Sequence, residues 1–486
     1  MNEYSQRPET ELHRIMRENC KLFLICAAIA GLGFSVLFTD AKGLGVNVPV
    51  YAAMLLLCFR ACFIRLGIWD GRKTALYTVG TMLLALSTCM TVNSFVQFVN
   101  ILGIVILLCM LILSRFCDTE AWQFGKYFSS FIRLVFTAIA GISEPLRHLS
   151  GLRKSGGAKK GKALYIIIGL LISIPLCAVV ISLLMSADMV FSRLLHRLFG
   201  WMLNLPDVLS TLLRALLLFL IAFFGFYCAL AGQAEKPVPS EIKAVRRHEP
   251  LVAVTFTGIL AFIYVVFCAI QVIYLFIGGG ELPEHMSYSE YARQGFFQLL
   301  FVSMFNVALV VFSAWKFGRG RALRVLLTVI SACTYILIAS SAFRMYLYAD
   351  AYGLTFLRLL VFWFLFVLTI LMSGTVVSVC REGFNLFRFS LVACLVLWLC
   401  FSFAKPDRIA AGYNARRFGM TDDTVSNMIY DLSMDAVPVM SEYGYEGAEF
   451  REEWDGYLGS SVKKAYERHG VRGFNFSLRE AVKSVE

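Results

Sequence analysis

The sequence predicts an all-α fold: a polytopic α-helical membrane bundle of about eleven transmembrane helices with a small, mostly helical extracytoplasmic C-terminal domain. Three observations lead to that prediction. Of the 486 residues 58% are hydrophobic, at a mean hydropathy of +0.70, more apolar side chain than a soluble chain this long can hide from water. The apolar residues gather in unbroken runs near the about 20 residues that a helix needs to cross hydrocarbon. Lys and Arg gather in alternate connections between those runs, as the positive-inside rule requires.

Residues 1–19 are polar and mixed in charge, the composition of a cytoplasmic N-terminal tail. The run Cys20 to Phe38 is too long for a signal-peptide core and no small-residue cleavage site follows it, so it reads as an uncleaved anchor. With Val46–Ile64, Thr74–Val92 and Phe95–Leu113 it completes a first membrane block of four helices, residues 20–113. Residues 114–162 form a cytoplasmic connection. Positions 119–143 alternate aromatic and polar residues at helical spacing, which predicts an amphipathic helix, and 147–162 is a basic linker suited to anionic lipid headgroups. The linker nearly spells a phosphate-binding loop at Gly156–Ala163, but Ala163 stands where that loop needs Ser or Thr, and a span follows instead of a soluble helix.

A second block of seven helices fills residues 163–403: Ala163–Met185, Leu209–Leu230, Leu251–Ile277, Phe296–Trp315, Val325–Phe343, Leu359–Val379 and Phe389–Phe403. Residues 186–206 read as an interfacial helix, and 231–250, with Pro237, Pro239 and Pro250, as an extended loop. With the N-terminus inside, the inside segments and their borders hold 27 Lys and Arg against 6 outside. An odd helix count then puts the C-terminus outside. Residues 404–486 turn polar. There Thr421, Asp422 and Asp423 make a helix start, Val425, Met428, Ile429 and Leu432 one apolar face, and Val462, Ala465 and Tyr466 a second, shorter helix. Ser460 and Lys463 have the spacing of a Ser–Lys hydrolase, without its companion motifs.

The net charge of +12 suggests nucleic acid, yet the basic residues sit between spans and set topology, so no nucleic-acid partner is expected. Most of the 14 Cys lie in apolar runs and no CxxC occurs, and the six His are scattered along the chain; neither pattern predicts a metal or cofactor. No predicted span has an interior Asp or Glu, which counts against ion-coupled transport; Gln271, Gln298 and Asn306 are the deep polar residues and suit helix–helix bonding.

Two outside connections carry the candidate ligand-binding belt. The first contains Glu281, Glu284, Glu290, Tyr291 and Arg293; the second contains Arg344, Tyr348, Asp350, Tyr352, Gly353, Thr355 and Arg358. On one continuous helix Arg344, Tyr348, Tyr352, Thr355 and Arg358 would span about 120° of arc, aiming two guanidinium groups and two phenols one way. The Glu residues would pair with them or leave them for an anionic ligand; Gly353 is where that helix would break. Tyr and Arg–Glu pairs at an interface also serve simply to pin helices.

Several stretches resemble an uncharacterised family of bacterial multi-pass membrane proteins, domain of unknown function 4173, and its relative 4153. They are Tyr288–Gln298, Arg344–Tyr348 with Tyr352–Thr355 and Arg358, Pro406–Ala410 with Asn414, Asp431–Pro438, and Phe474–Asn475. Lys405 departs from the resemblance, which has Asn before Pro-Asp. The resemblance implies a bacterial cell membrane and brings no activity with it. The expectation is a non-enzymatic sensor, scaffold or envelope-maintenance protein. The alternatives are a transporter or lipid flippase, and a transferase or hydrolase of lipid-linked material using Glu284, Glu290, Asp350 or Asp40.

Overall fold

The computed structural model describes residues 10–119, 122, 124–152, 207–237, 249–273, 288–317, 320–381 and 383–486, with isolated positions between 180 and 194. The predicted span Ala163–Met185, the interfacial helix at 186–206, and most of the basic linker and of the 231–250 loop fall outside them. The described residues are helical throughout, with no strand, and nine of their helices are long and apolar enough to cross a membrane. The chain is an all-α polytopic membrane bundle.

A short amphipathic helix, α1 (Glu11–Glu18), leads into α2 (Cys20–Phe38) and α3 (Asn47–Arg65). Next come α4 (Gly71–Thr88) and α5 (Ser94–Phe116). Predicted span Thr74–Val92 becomes α4, whose Thr and Ser residues make it the least apolar of the block; it lies along α5 as a hairpin. The expected amphipathic segment is α6 (Phe124–Ala140): Tyr127, Ser130 and Leu134 are buried, while Phe128 and Phe136 stay exposed on the opposite face. Then follow α7 (Glu144–Leu152) and α8 (Asp207–Glu235), which packs along α2. Gly31 allows that approach, since a Cβ there would lie 2.8 Å from the Phe219 carbonyl oxygen.

The second half comprises α9 (Pro250–Gln271), α10 (Tyr288–Lys316), α11 (Arg321–Tyr352), α12 (Phe356–Cys380) and α13 (Leu386–Phe403). Helices α9, α10 and α12 pack on α11, and α13 joins α12 to α4. Two helices run eight or nine residues past their predicted ends. The connection before Phe296 is helical from Tyr288, and α11 continues through Tyr352; at 32 residues it is about 48 Å long, against about 30 Å of hydrocarbon. Large apolar side chains such as Leu57, Phe262 and Phe301 face outward, the surface that lipid covers.

Deep polar residues bond helix to helix. Asn306 Nδ2 donates to Thr334 Oγ1 (2.9 Å), and Ser340 Oγ donates to Gln271 Oε1 (2.9 Å). The Asn100 side-chain oxygen accepts from Trp398 Nε1 at 2.7 Å, and its amide reaches Ser87 and Ser402, tying α5 to α13 and α4.

The tail forms α14 (Pro406–Phe418), α15 (Asp422–Asp431), α16 (Val437–Tyr443), α17 (Arg451–Gly456), α18 (Val462–His469) and α19 (Phe476–Val485). Thr421 caps α15 by accepting from the Thr424 N–H, and Val425, Met428 and Leu432 are buried, as the sequence pattern predicts. These residues form one core with Ala410, Ala411, Met440, Trp454, Val462 and Ala481. The tail seats on the α2–α3, α4–α5 and α11–α12 connections, so all of these share one face of the bundle.

Candidate functional site

The belt lies on the tail face. Helix α11 stops at Tyr352 because Gly353 has φ +76°, and a Cβ there would stand 2.8 Å from Asn414 Oδ1. Asn414, on α14, holds the turn from both sides: the Leu354 N–H donates to its Oδ1 (2.6 Å) and its Nδ2 donates to the Leu354 carbonyl (2.7 Å). Thr355 then caps α12. The continuous face expected for Arg344 to Arg358 is therefore broken: Arg344, Tyr348 and Tyr352 finish α11, while Arg358 belongs to α12.

Arg358 nevertheless folds back. Its guanidinium donates to the carbonyls of Tyr352 (2.8 Å) and Gly353 and lies 4.2 Å from the centre of the Tyr348 ring, itself 5.3 Å from that of Tyr352. A cation is favourable there, at the carbonyl end of α11. Tyr348, Tyr352 and Arg358 are thus brought together. Glu290, Tyr291 and Arg293 lie on the first turns of α10, and their side chains, like Glu281 and Glu284, fall outside the described residues. Asp350 pairs with Arg417 of the tail (3.4 Å), and Asp40 with Arg214 (3.2 Å). The Ser–Lys spacing is a surface feature: Ser460 and Lys463 are exposed, and Ser460 Oγ donates to the Gly456 carbonyl of its own helix.

A denser constellation lies where the tail meets the bundle. Asp407 Oδ2 accepts from Asn93 Nδ2 (2.8 Å), the Ser433 N–H (3.2 Å) and the Ser433 hydroxyl. Asp435 accepts from the Val92 N–H (2.9 Å), Ser477 Oγ (2.6 Å) and Thr91 Oγ1. The side chain of Asn475 caps α19 with its oxygen and donates its amide to the carbonyls of Leu44, Thr88 and Thr91; Gln97 donates to the same three carbonyls. Backbone bonds from Val46 to Phe474 and from Phe476 to Cys89 close the seam. Asp407, Asp435 and Asn475 are 0–1% exposed. Burial pushes the Asp407 carboxyl above its usual range despite the hydrogen bonds from Asn93 and Ser433, and the neighbouring Asp435 adds to the push. Burial first, and these two carboxylates second, push the nearby Tyr457 phenol up to about 12.

The opposite face carries a cavity of about 630 Å³. Arg72, Lys73, Arg115 and Arg388 line it together with Tyr77 and Tyr127, offset by Asp70 and Asp118. Asp70 spends its carboxylate on the N–H groups of Arg72 (3.0 Å) and Lys73 (3.3 Å), capping α4. Arg115 Nη1 reaches the Ile68 carbonyl (3.4 Å), while its Nε is buried with no hydrogen-bond partner among the described residues. Phe387 stacks on Tyr127 at 3.7 Å and stiffens the wall. The arrangement suits an anionic group beside an apolar one.

Asp407, Asn414, Asp435 and Asn475 were visible in the sequence only as pieces of the family resemblance, not as members of one site. Their partners lie up to 431 positions away, so spacing could not reveal them. No curated protein and no solved structure matches the chain. Residues 78–443, most of the chain and including Asp407, Asn414 and Asp435, match the family model described as domain of unknown function 4153, the relative of the 4173 family, and the chain belongs to that family.

Proposed function

We propose that this chain is a non-enzymatic sensor or scaffold of a bacterial cell membrane, with its N-terminus cytoplasmic and its tail extracytoplasmic. The observation that carries this reading is the buried seam of Asp407, Asp435 and Asn475. Several fully desolvated polar bonds tie the tail to two separate connections of the bundle, so a ligand, lipid or partner that shifts the tail must also shift α2 to α5. The distribution of Lys and Arg supports this side of the membrane for the tail. The belt of Glu290, Tyr291, Arg293, Arg344, Tyr348, Tyr352 and Arg358 is the contact surface; Tyr352 there is half exposed, beside the pair that Asp350 of α11 makes with Arg417 of the tail.

The transporter or flippase reading has one observation in its favour, the cationic cavity on the opposite face, which has the lining an anionic lipid headgroup needs. Against it, the deep polar residues Asn306 and Gln271 are used in helix–helix bonds. The enzyme reading would need carboxylates around an open cleft, whereas Asp407 and Asp435 are sealed in the seam. The decisive experiment compares a deletion strain complemented with wild type, Asp435→Ala or Arg358→Ala. Loss of complementation with Asp435→Ala, at normal abundance and with a protease-sensitive tail, supports coupling. Full complementation by a variant whose tail is released refutes it.

A further inference from the structure

The end of the bundle away from the tail brings His13 to two residues of one helix turn more than 100 positions later in the chain. His13 of α1, and Glu144 and His148 of α7, converge so that one potential ligand atom from each lies within 4.8 Å of the others. Glu144 Oε2 stands 3.7 Å from His13 Nε2 and 3.6 Å from His148 Nε2. Those separations are longer than the 2.7–3.2 Å usual for N–H···O bonds. They approach the roughly 3.3 Å edge of a tetrahedron whose metal–ligand bonds are about 2.0–2.1 Å.

The surroundings favour a held ion. Glu144 and His148 are 6% and 5% exposed, and His13 is only partly exposed. His148 Nδ1 lies 2.6 Å from the Tyr227 hydroxyl of α8, which fixes the ring and presents Nε2 to the carboxylate. Arg147 Nη1 holds the other carboxylate oxygen at 2.9 Å, leaving Oε2 directed at the two imidazoles. On either side the backbone is fastened to α8, by Thr10 Oγ1 on the Ala234 carbonyl and by Cys228 Sγ on the Gly141 carbonyl.

We propose that His13, Glu144 and His148 form a binding site for a divalent transition-metal ion of the zinc class, with a fourth coordination position left for water. Two imidazoles and one carboxylate match the donor preference of Zn²⁺ and its neighbours in the first-row series. The ion would staple α1 to α7 and, through Tyr227, to α8, so its occupancy would set how firmly the N-terminal helix is held.

The test uses the full chain, purified in detergent with any affinity tag removed and stripped with a chelator, then titrated with Zn²⁺ and, separately, with Co²⁺ read by visible absorption. One equivalent of Zn²⁺ per chain is expected, with a Co²⁺ spectrum of tetrahedral type and a rise in melting temperature on Zn²⁺ addition. His13→Ala and Glu144→Gln should each weaken binding by at least about tenfold, and Tyr227→Phe by about 10–100-fold. A wild-type protein that binds no stoichiometric Zn²⁺ overturns the proposal, as does wild-type affinity in a folded His13→Ala/His148→Ala double variant. Should the variants fail to fold, the wild-type stoichiometry and Co²⁺ spectrum decide alone.

Discussion

The two ends of the bundle use their polar groups in different ways. At the tail face the charged groups are absorbed by the protein itself: Asp407 and Asp435 by amides and hydroxyls, Arg358 by two carbonyls and the Tyr348 ring. At the far face, four cationic side chains line an open cavity and a His–Glu–His cluster converges in a nearly closed site. The difference teaches that charge at an interface is a poor guide to ligand binding until its partners are known. Burial among hydrogen-bonding partners from both sides marks a joint; charge around an unfilled space marks a place for something else.

That contrast can be broken experimentally. The largest effect is expected at the seam. Asn475→Ala leaves the Ser477 and Leu478 amides uncapped and removes one of the two donors that the Leu44, Thr88 and Thr91 carbonyls share, leaving them to Gln97, and should weaken tail docking by about 3 kcal/mol. Limited proteolysis would show this as early cleavage between the last span and α14, and an unchanged pattern would mean that the seam is not what holds the tail. The next effect is at Asp407, whose carboxyl is raised above its usual range near 3.8 by burial. Folding therefore favours the protonated form. That contribution is fully present below the unfolded-state value and is lost as pH rises through the raised native value. Asp407→Asn keeps an acceptor for Asn93 and Ser433 and should flatten the acid limb of the stability profile. Asp407→Ala should cost about 1–3 kcal/mol. Equal melting profiles from pH 4 to 8 for wild type and Asp407→Asn would contradict the burial argument.

A smaller change is expected at Gly353→Ala, where positive φ and contact with Asn414 Oδ1 together should cost about 1–2 kcal/mol, read as a lower melting temperature. At the far face, Arg115→Gln with Arg388→Gln should lower binding to vesicles containing anionic lipid by several fold without altering tail protection. Should the pair of substitutions release the tail instead, the two ends are not separate in the sense drawn here. The smallest effect is at Lys405, which has φ +53°, a left-handed conformation that Asn tolerates better than Lys. Lys405→Asn should relax the backbone but lose the 2.7 Å pair with Glu480, leaving Arg408 to hold that carboxylate, so the net change in stability, read from the melting temperature, should be within about 0.5 kcal/mol.

The sequence made the bundle legible because lipid imposes a coarse rule, a run of apolar residues per crossing. It misjudged helix length where the rule stops. Tyr288-Ser-Glu-Tyr-Ala-Arg is too polar for hydrocarbon yet helical, and α11 continues nine residues past Phe343. Hydropathy reports depth, not where a helix ends. In the tail, Val425, Met428 and Leu432 were readable because a local period of 3.6 shows itself within a dozen residues. The seam and the His–Glu–His cluster were not, since Asp435 and His13 find partners 344 and more than 100 residues away and look like surface residues in their own segments. Lys405 marks an intermediate case: a departure noticed against the resemblance acquires a physical meaning only once the backbone angle there is known.

The paired amides of Gln97 and Asn475 have a consequence for how the protein is made. The carbonyls of Leu44, Thr88 and Thr91 leave the ribosome early and receive Gln97 almost at once, but Asn475 follows Leu44 by 431 residues. Until then those carbonyls rely on Gln97 alone, and a ribosome that stalls before Phe474 releases a chain whose joint is open. Closure of the joint therefore waits until the segment around Asn475 has been made.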